Sequence, residues 1–169
     1  MEEKVYPPVT VVDDTDTVIG YLGLFDALAK GLRRRVAYCI VRDESNRMLI
    51  QRRSGEVLSP NLLDFAAAGH VNEGQTYLDA ARAELEEELG LKGFLLSEVV
   101  PPFATPGFYN GVYMAVVPDN TEPIINPEEV SGVFWVSKDE ILKMIAGHPQ
   151  QFTEPFLGVW PHVCDKIFS

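Results

Sequence analysis

GHVNEGQTYLDAARAELEEELGL, residues 69–91, opens on a glycine loop, closes on a glycine, and packs four glutamates into the five positions 84–88. Thr76 is a natural N-cap with Asp79 three residues on, a shortened-acid capping box, and Gly90 stands where a left-handed residue ends a helix, so the spacing predicts a helix over 77–89. At about 100° per residue, Leu78, Ala81, Leu85 and Leu89 form one stripe that must face a sheet. Glu84, Glu87 and Glu88 share an adjoining face, and Glu86 points elsewhere. No cation sits at helical spacing from the three acids: position 80 is alanine, position 88 is itself glutamate, and Lys92 lies beyond the helix stop. Their mutual repulsion and the negative helix end each destabilise by roughly a few tenths of a kcal/mol. The plain reading of such a run is a solvated acidic face. The loop before it argues against that reading, because Gly69-His70-Val71-Asn72-Glu73-Gly74 follows the apolar Phe65-Ala66-Ala67-Ala68. Strand, glycine loop and helix then form one compact unit in which loop backbone approaches the acids. A hard divalent cation such as Mg²⁺ takes carboxylate and carbonyl oxygens and completes its shell with water and substrate phosphates. Such an ion supplies the missing positive charge.

The whole chain narrows the reading further. At 169 residues it is long enough for one well-formed core and too short for two ordinary domains. With 46% hydrophobic and 23% charged residues and no long apolar run, the composition is that of a soluble globular protein with no membrane partner. The start, MEEKVYPPV, lacks the layout of a signal peptide, so a cytoplasmic location is expected. Cys39 and Cys164 form no CxxC pair and read as free thiols rather than a disulfide or zinc site. The net charge of −11 repels nucleic acid, and any phosphate-bearing ligand must be drawn in by local cations or metal.

Along the chain, VTVVDD and TVIGYLG read as a β-hairpin, and Leu24 to Leu32 as a short helix. RVAYCIVRD and RMLIQRRS are strands around the turn Glu44-Ser45-Asn46. FLLSEVV, FYNGVYMAVV and GVFWV are further strands, Ser137 caps KDEILKMIAG with Gly147 as its stop, and the tail from Thr153 to Phe168 reads as a last helix interrupted by Pro161. The order is that of a mixed α/β (α+β) sheet with helices on its faces: a hairpin and helix extension over 1–30, a core over 34–147, and a C-terminal helix over 150–169.

At residues 69–91 the chain resembles the Nudix hydrolases. Their signature is a glycine, five residues, Glu, seven residues, Arg-Glu, an aliphatic, any residue, Glu-Glu, any residue, Gly and an aliphatic. Here it becomes Gly69, Gln75, Ala83-Glu84, Leu85, Glu87-Glu88, Gly90 and Leu91, with seven of nine positions matched. VVDDTDTVIG, QRRS, LDFAAAGHV and NPEEVSGVFWVSKDEIL extend the likeness towards the branch related to isopentenyl-diphosphate isomerase. The resemblance implies an α/β/α Nudix sandwich with a mixed β-sheet, and Mg²⁺-dependent cleavage of a phosphoanhydride in a small molecule, a nucleoside diphosphate derivative, with Mn²⁺ as a substitute ion. By the same analogy Glu84, Glu87 and Glu88 hold the metal and act in catalysis, and the Gly69 carbonyl is a further ligand. Gln75 and Ala83 depart from the family's Glu and Arg, which keeps open a domain that binds nucleotide without cutting it. The isomerases need a cysteine just before the Gly-His and a glutamate in a facing strand. This chain has Ala68 and no glutamate between Glu98 and Glu122.

Other residues carry alternatives. Arg52 and Arg53 are suited to forking onto substrate phosphates, or are plain surface. Glu128 and Glu129, on a loop before GVFWV, are candidates for the base that activates water, or a solvated pair. His70 reads as structural, and Phe103, Phe108, Tyr109 and Trp135 as core rather than base-stacking platforms. A homodimer is left open.

Overall fold

The computed structural model describes residues 5–169; the acidic start Met1–Lys4 lies outside the described residues. The strand β3 (Arg34–Asp43) is the axis of the sheet. Over its whole length it pairs in parallel with β8 (Phe108–Val117). Its other edge is divided among β1 (Val9–Val12) at Arg34, β6 (Ala67–His70) at Val36 to Cys39, and β4 (Met48–Arg53) at Arg42. β3 and β4 therefore meet at their turn, where Asn46 takes φ +64°, and diverge towards Arg34 and Arg53. A bent segment fills the gap: β5 (Leu63–Phe65) pairs with β4 while β6 pairs with β3, and Ala66 lies between. The far edge of β4 takes β9 (Val130–Val136), and β8 takes β7 (Ser97–Thr105).

Alternation along β3 explains why the sheet needs cover on both faces. Val36, Tyr38 and Ile40 enter one core with the C-terminal helix α4 (Glu154–Ile167), and Ala37, Cys39 and Val41 enter a second core with α2 (Tyr77–Leu89). A strand buried on both faces reads as a continuous apolar run, as this one does. The result is the expected α/β/α layering with a mixed sheet.

Four boundaries differ from expectation, each for a local reason. The first helix, α1 (Leu24–Ala29), stops early because Gly31 turns the chain at φ +62°. FLLSEVV is strand only from Ser97, and β7 runs on through Pro101 and Pro102 to Thr105; an edge strand paired only to β8 tolerates residues without an N–H. In α3 (Lys138–Gly147) Gly147 is the last helical residue and His148 the C-cap. α4 passes unbroken through Pro161. Proline inside a helix costs about 3 kcal/mol, but Phe156, Val159, Trp160, Val163 and Ile167 are all buried at about 1.5–3 kcal/mol each, and Pro161 itself is exposed.

The N-terminal hairpin, β1 with β2 (Val18–Leu22), is tied to α2 by one acid. Asp16, at φ +65°, accepts 2.7 Å from Arg35 Nε and 2.8 Å from the Tyr77 hydroxyl, and the Arg35 guanidinium lies 5.0 Å over the Tyr77 ring. Beneath that ring is Gly111 of β8, where an added Cβ would fall 2.5 Å from Tyr77 Cδ1. Gly111→Ala should therefore lower stability by roughly 1–3 kcal/mol, read as a lower urea midpoint at unchanged slope. An unchanged midpoint would show that Tyr77 retreats freely.

Candidate active site

Helix α2 is fixed at both ends. Thr76 Oγ1 accepts from Asp79 N at 3.1 Å, the Asp79 carboxylate accepts from Thr76 N at 2.9 Å, and Gly90 closes the helix at φ +63°. Ala81, Leu85 and Leu89 are buried against the sheet as the periodicity predicts. That docking presses Glu84 onto β6 so closely that a Cβ at residue 69 would lie 2.3 Å from the Glu84 carboxyl carbon. A side chain here would displace the Glu84 carboxyl, so glycine lets that carboxyl lie against the strand.

One turn further on, Glu88 is 4% exposed. Its Oε2 accepts from Gln51 Nε2 at 2.6 Å and its Oε1 from the Ala68 amide at 3.3 Å. Gln51, itself 1% exposed, also donates to the Ala66 carbonyl at 2.7 Å. Glu129 arrives from the opposite side, on a segment held by Ser54 N to the Glu129 carbonyl at 2.9 Å and by the Ser54 hydroxyl to the Glu128 carbonyl at 2.8 Å. One carboxylate oxygen each of Glu84, Glu88 and Glu129 lies within 4.8 Å of the other two. Glu87 is exposed and stands outside this trio, near enough for its charge to act on Glu84. Glu128 is exposed on the loop.

The electrostatics follow from this crowding. Burial, then the charge of Glu88, then the Glu84–Glu88 hydrogen bond and the charges of Glu87 and Glu129, push the Glu84 carboxyl well above the usual carboxylate range. Burial also raises Glu88, against the hydrogen bonds from Gln51, Glu84 and Ala68. One buried and two half-buried carboxylates facing one another beside the Gly69 backbone suit a divalent cation, and the residues present fit one.

The remaining sequence candidates separate. Strand alternation sends Arg52 and Arg53 apart. Arg52 is exposed on the Asn61 carbonyl at 2.9 Å, while Arg53 is half-buried on the Leu58 carbonyl at 2.8 Å and lines a cavity of about 260 Å³. His70, also in that cavity, accepts from Arg34 Nε at 3.3 Å through Nε2, and burial lowers its pKa to about 4, so it is neutral near pH 7. The aromatic rings are engaged elsewhere: Phe103 stacks on His162 at 4.1 Å, Phe108 lies under Arg34 at 4.7 Å, and Trp135 under Arg47 at 5.7 Å. Tyr109 is half-buried at the β8 edge facing Ala104. Gln75 accepts from the Asn72 amide at 3.0 Å and so closes the loop before α2 with an amide oxygen where the family has a carboxylate. Sequence reading passed over Gln51, Arg34 and Asp64; a polar residue inside the apolar run Met-Leu-Ile-Gln was the available signal for Gln51.

Residues 32–156 match the family model of the NUDIX domain. An uncharacterized Nudix hydrolase of Yersinia pestis is 34% identical over 143 residues, covering 79% of this chain and 74% of that protein. An isopentenyl-diphosphate Delta-isomerase of Haloarcula marismortui is 30% identical over 172 residues, covering 94% and 89%. The crystal structure of DR0079 from Deinococcus radiodurans superposes with a TM-score of 0.79 at 27% identity, over 96% of this chain and 99% of that one. The chain belongs to the Nudix family. Enzymes of this family work with a divalent metal on small-molecule phosphoanhydrides, and the acidic cluster of α2 lies within the matched segment. No helix among the described residues is long and apolar enough to cross a membrane.

The raised carboxyls set a pH dependence for the metal-free protein. Below the unfolded glutamate pKa of about 4.3 the carboxyls are neutral in both states. Above it the unfolded chain ionises first, so the stability held by protonated Glu84 and Glu88 is lost as pH rises through their folded values. With chelator present, the melting temperature should fall from about pH 5.5 to about pH 8.5, and Glu84→Gln should flatten that fall. Parallel curves for wild type and variant would show that the cluster's charges are screened.

Proposed function

We propose that the chain is a Mg²⁺-dependent diphosphohydrolase that cleaves a phosphoanhydride bond in a nucleoside diphosphate derivative. The observation that carries this reading is the trio Glu84, Glu88 and Glu129, one oxygen of each within 4.8 Å of the others, against the bare backbone of Gly69. Glu84 and Glu88, with the Gly69 carbonyl and Glu87 at the solvent side, would hold the cation. When bound, the cation neutralises charge on the phosphates and acidifies water. The protein supplies the rest. Gln51 orients the Glu88 carboxylate through its amide and is itself pinned to Ala66, so the buried acid has one position. Glu129, on a separate segment with a carboxylate oxygen within 4.8 Å of those of Glu84 and Glu88, would take the proton of the attacking water, help worth about 10²- to 10⁴-fold. The hydrogen bonds from Ser54 fix the backbone from which it reaches.

Isomerisation of an allylic diphosphate, the activity in the Haloarcula relative's name, lacks its parts here. Ala68 pairs with Tyr38, and Tyr38 with Val112 of β8, so the row across β6, β3 and β8 offers a methyl, a phenol and an isopropyl group. Among the described residues that row holds no cysteine and no glutamate to pass a proton across a double bond. A module that binds nucleotide without hydrolysis is the second reading, and the substitutions Gln75 and Ala83 favour it.

Cleavage with Mg²⁺ or Mn²⁺ of nucleoside di- and triphosphates, nucleotide sugars and dinucleoside polyphosphates, read as nucleotide products by chromatography, tests the proposal. Turnover of at least one class is expected, with Glu129→Gln lowering kcat by about 10²- to 10⁴-fold at little change in KM. A blank panel with nucleotide binding retained would leave the binding module. Conversion of isopentenyl to dimethylallyl diphosphate is expected to be absent.

A further inference from the structure

Glu128 and Glu129 follow Asn126-Pro127, and Asn-Pro-Glu-Glu is the opening of a helix: a side-chain acceptor at the N-cap, proline at the first helical position, then acids in the first turn. The chain makes that single turn and stops, because Val130 passes straight into β9. Asn126 caps the turn with both of its oxygens. Its carbonyl accepts from the Val130 amide at 2.8 Å and the Glu129 amide at 3.0 Å, and its Oδ1 accepts from the Glu128 amide at 3.2 Å.

In a capping box the acid three residues after the N-cap turns back and accepts from the N-cap's own amide. Asp79 does so with Thr76 N at 2.9 Å, and Glu140 with Ser137 N at 2.7 Å. Glu129 stands at the same spacing from Asn126 and does not. The Asn126 amide is already engaged, donating to the Glu88 carbonyl at 2.9 Å, next to a bond from Ile124 N to the Leu89 carbonyl at 2.8 Å. These two amides meet carbonyls at the end of α2 that the helix cannot satisfy by itself. Gly90 lets the segment pass so close, since a Cβ there would fall 3.1 Å from Ile124 Cβ. Deprived of the capping contact, the Glu129 carboxylate lies with one oxygen within 4.8 Å of those of Glu84 and Glu88. The carbonyls of Glu128 and Glu129 are held by Ser54, so the turn is fixed from the end of β4 on one side and from the end of α2 on the other.

We infer that Asn126 is a positioning residue of the acid cluster: by giving its amide to Glu88 and its oxygens to the turn, it denies Glu129 the capping contact and aims that carboxylate at the Glu84–Glu88 pair. The same residue sets the spacing between the helix that carries two of the acids and the loop that carries the third. On the hydrolase reading, on which the kinetic half of this inference rests, Asn126 touches no substrate and acts through Glu129 alone.

Full-length protein carrying carboxyl-labelled glutamate is titrated with substoichiometric Mn²⁺, which broadens the resonances of carboxyls close to it, with Glu88→Gln and Glu129→Gln assigning the two signals. In the wild type both should broaden. In Asn126→Ala the Glu88 signal should still broaden, which shows that helix and cation remain in place, and the broadening of Glu129 should be lost. Asn126→Ser keeps an uncharged acceptor suited to an N-cap and should restore it. In turnover, Asn126→Ala should lower kcat about tenfold or more at unchanged KM, Asn126→Ser should recover it, and Asn126→Ala added to Glu129→Gln should lower it no further. Broadening of Glu129 that is equal in all three proteins or absent from the wild type, or a kcat loss that multiplies with that of Glu129→Gln, overturns the inference. A blank hydrolysis panel with the expected broadening pattern defeats the hydrolase reading alone. Turnover of the panel with wild-type kcat in Asn126→Ala defeats the positioning role alone.

Discussion

At residue 69 the Glu84 carboxyl occupies the space a side chain would take, and the acid cluster is built around that contact between α2 and β6. The helix is held down by Ala81, Leu85 and Leu89, whose burial on the sheet outweighs the repulsion the same docking creates. Glu84 is pressed onto strand backbone, and Glu88, one turn later, is driven into the wedge where Gln51 and the Ala68 amide receive it. The apolar stripe and the acids are inseparable, since one rotation of the helix sets both. Such a site violates the ordinary rule against facing buried charges, and it survives because capping, packing and turn chemistry elsewhere in α2 all agree with the fold.

The divergence of β3 from β4 opens the sheet at one end, where a cavity is lined by Arg34 and Arg53. Both arginines of the cavity sit at the open ends of these strands, Arg34 at the start of β3 and Arg53 at the end of β4. The bent β5–β6 segment fills the space between them, with carboxylates gathered on the α2 side and guanidiniums on the α4 side.

What the sequence made legible was whatever is decided locally. The 77–89 helix is bounded by a capping box and a left-handed glycine, and both signals are contained in the helix and its flanks, so its limits were read to the residue. Its wheel also placed Glu84, Glu87 and Glu88 together. A wheel does not say which flank of the stripe the neighbouring strand covers. Glu84 and Glu88 stack along the axis against β6 and Gln51, Glu87 lies rotated towards solvent, and the third close carboxylate, Glu129, comes from 41 residues past Glu88, a distance no local pattern spans. Arg52 and Arg53 were separable in principle, since adjacent strand residues face opposite ways. Pro161 misled because its tolerance depends on an exposed helix face, which is a tertiary fact.

Asp16 binds Arg35 of the central strand and Tyr77 of the acidic helix with the same oxygen. The hairpin that carries it sits at the sheet's margin, where a segment ordinarily frays by itself. Releasing this hairpin, however, strips Arg35 of its counter-ion and leaves the Tyr77 hydroxyl unpaired at the first turn of α2. The margin and the helix thus open as one cooperative unit, and amide exchange in the hairpin reports on the integrity of the helix that bears the carboxylates.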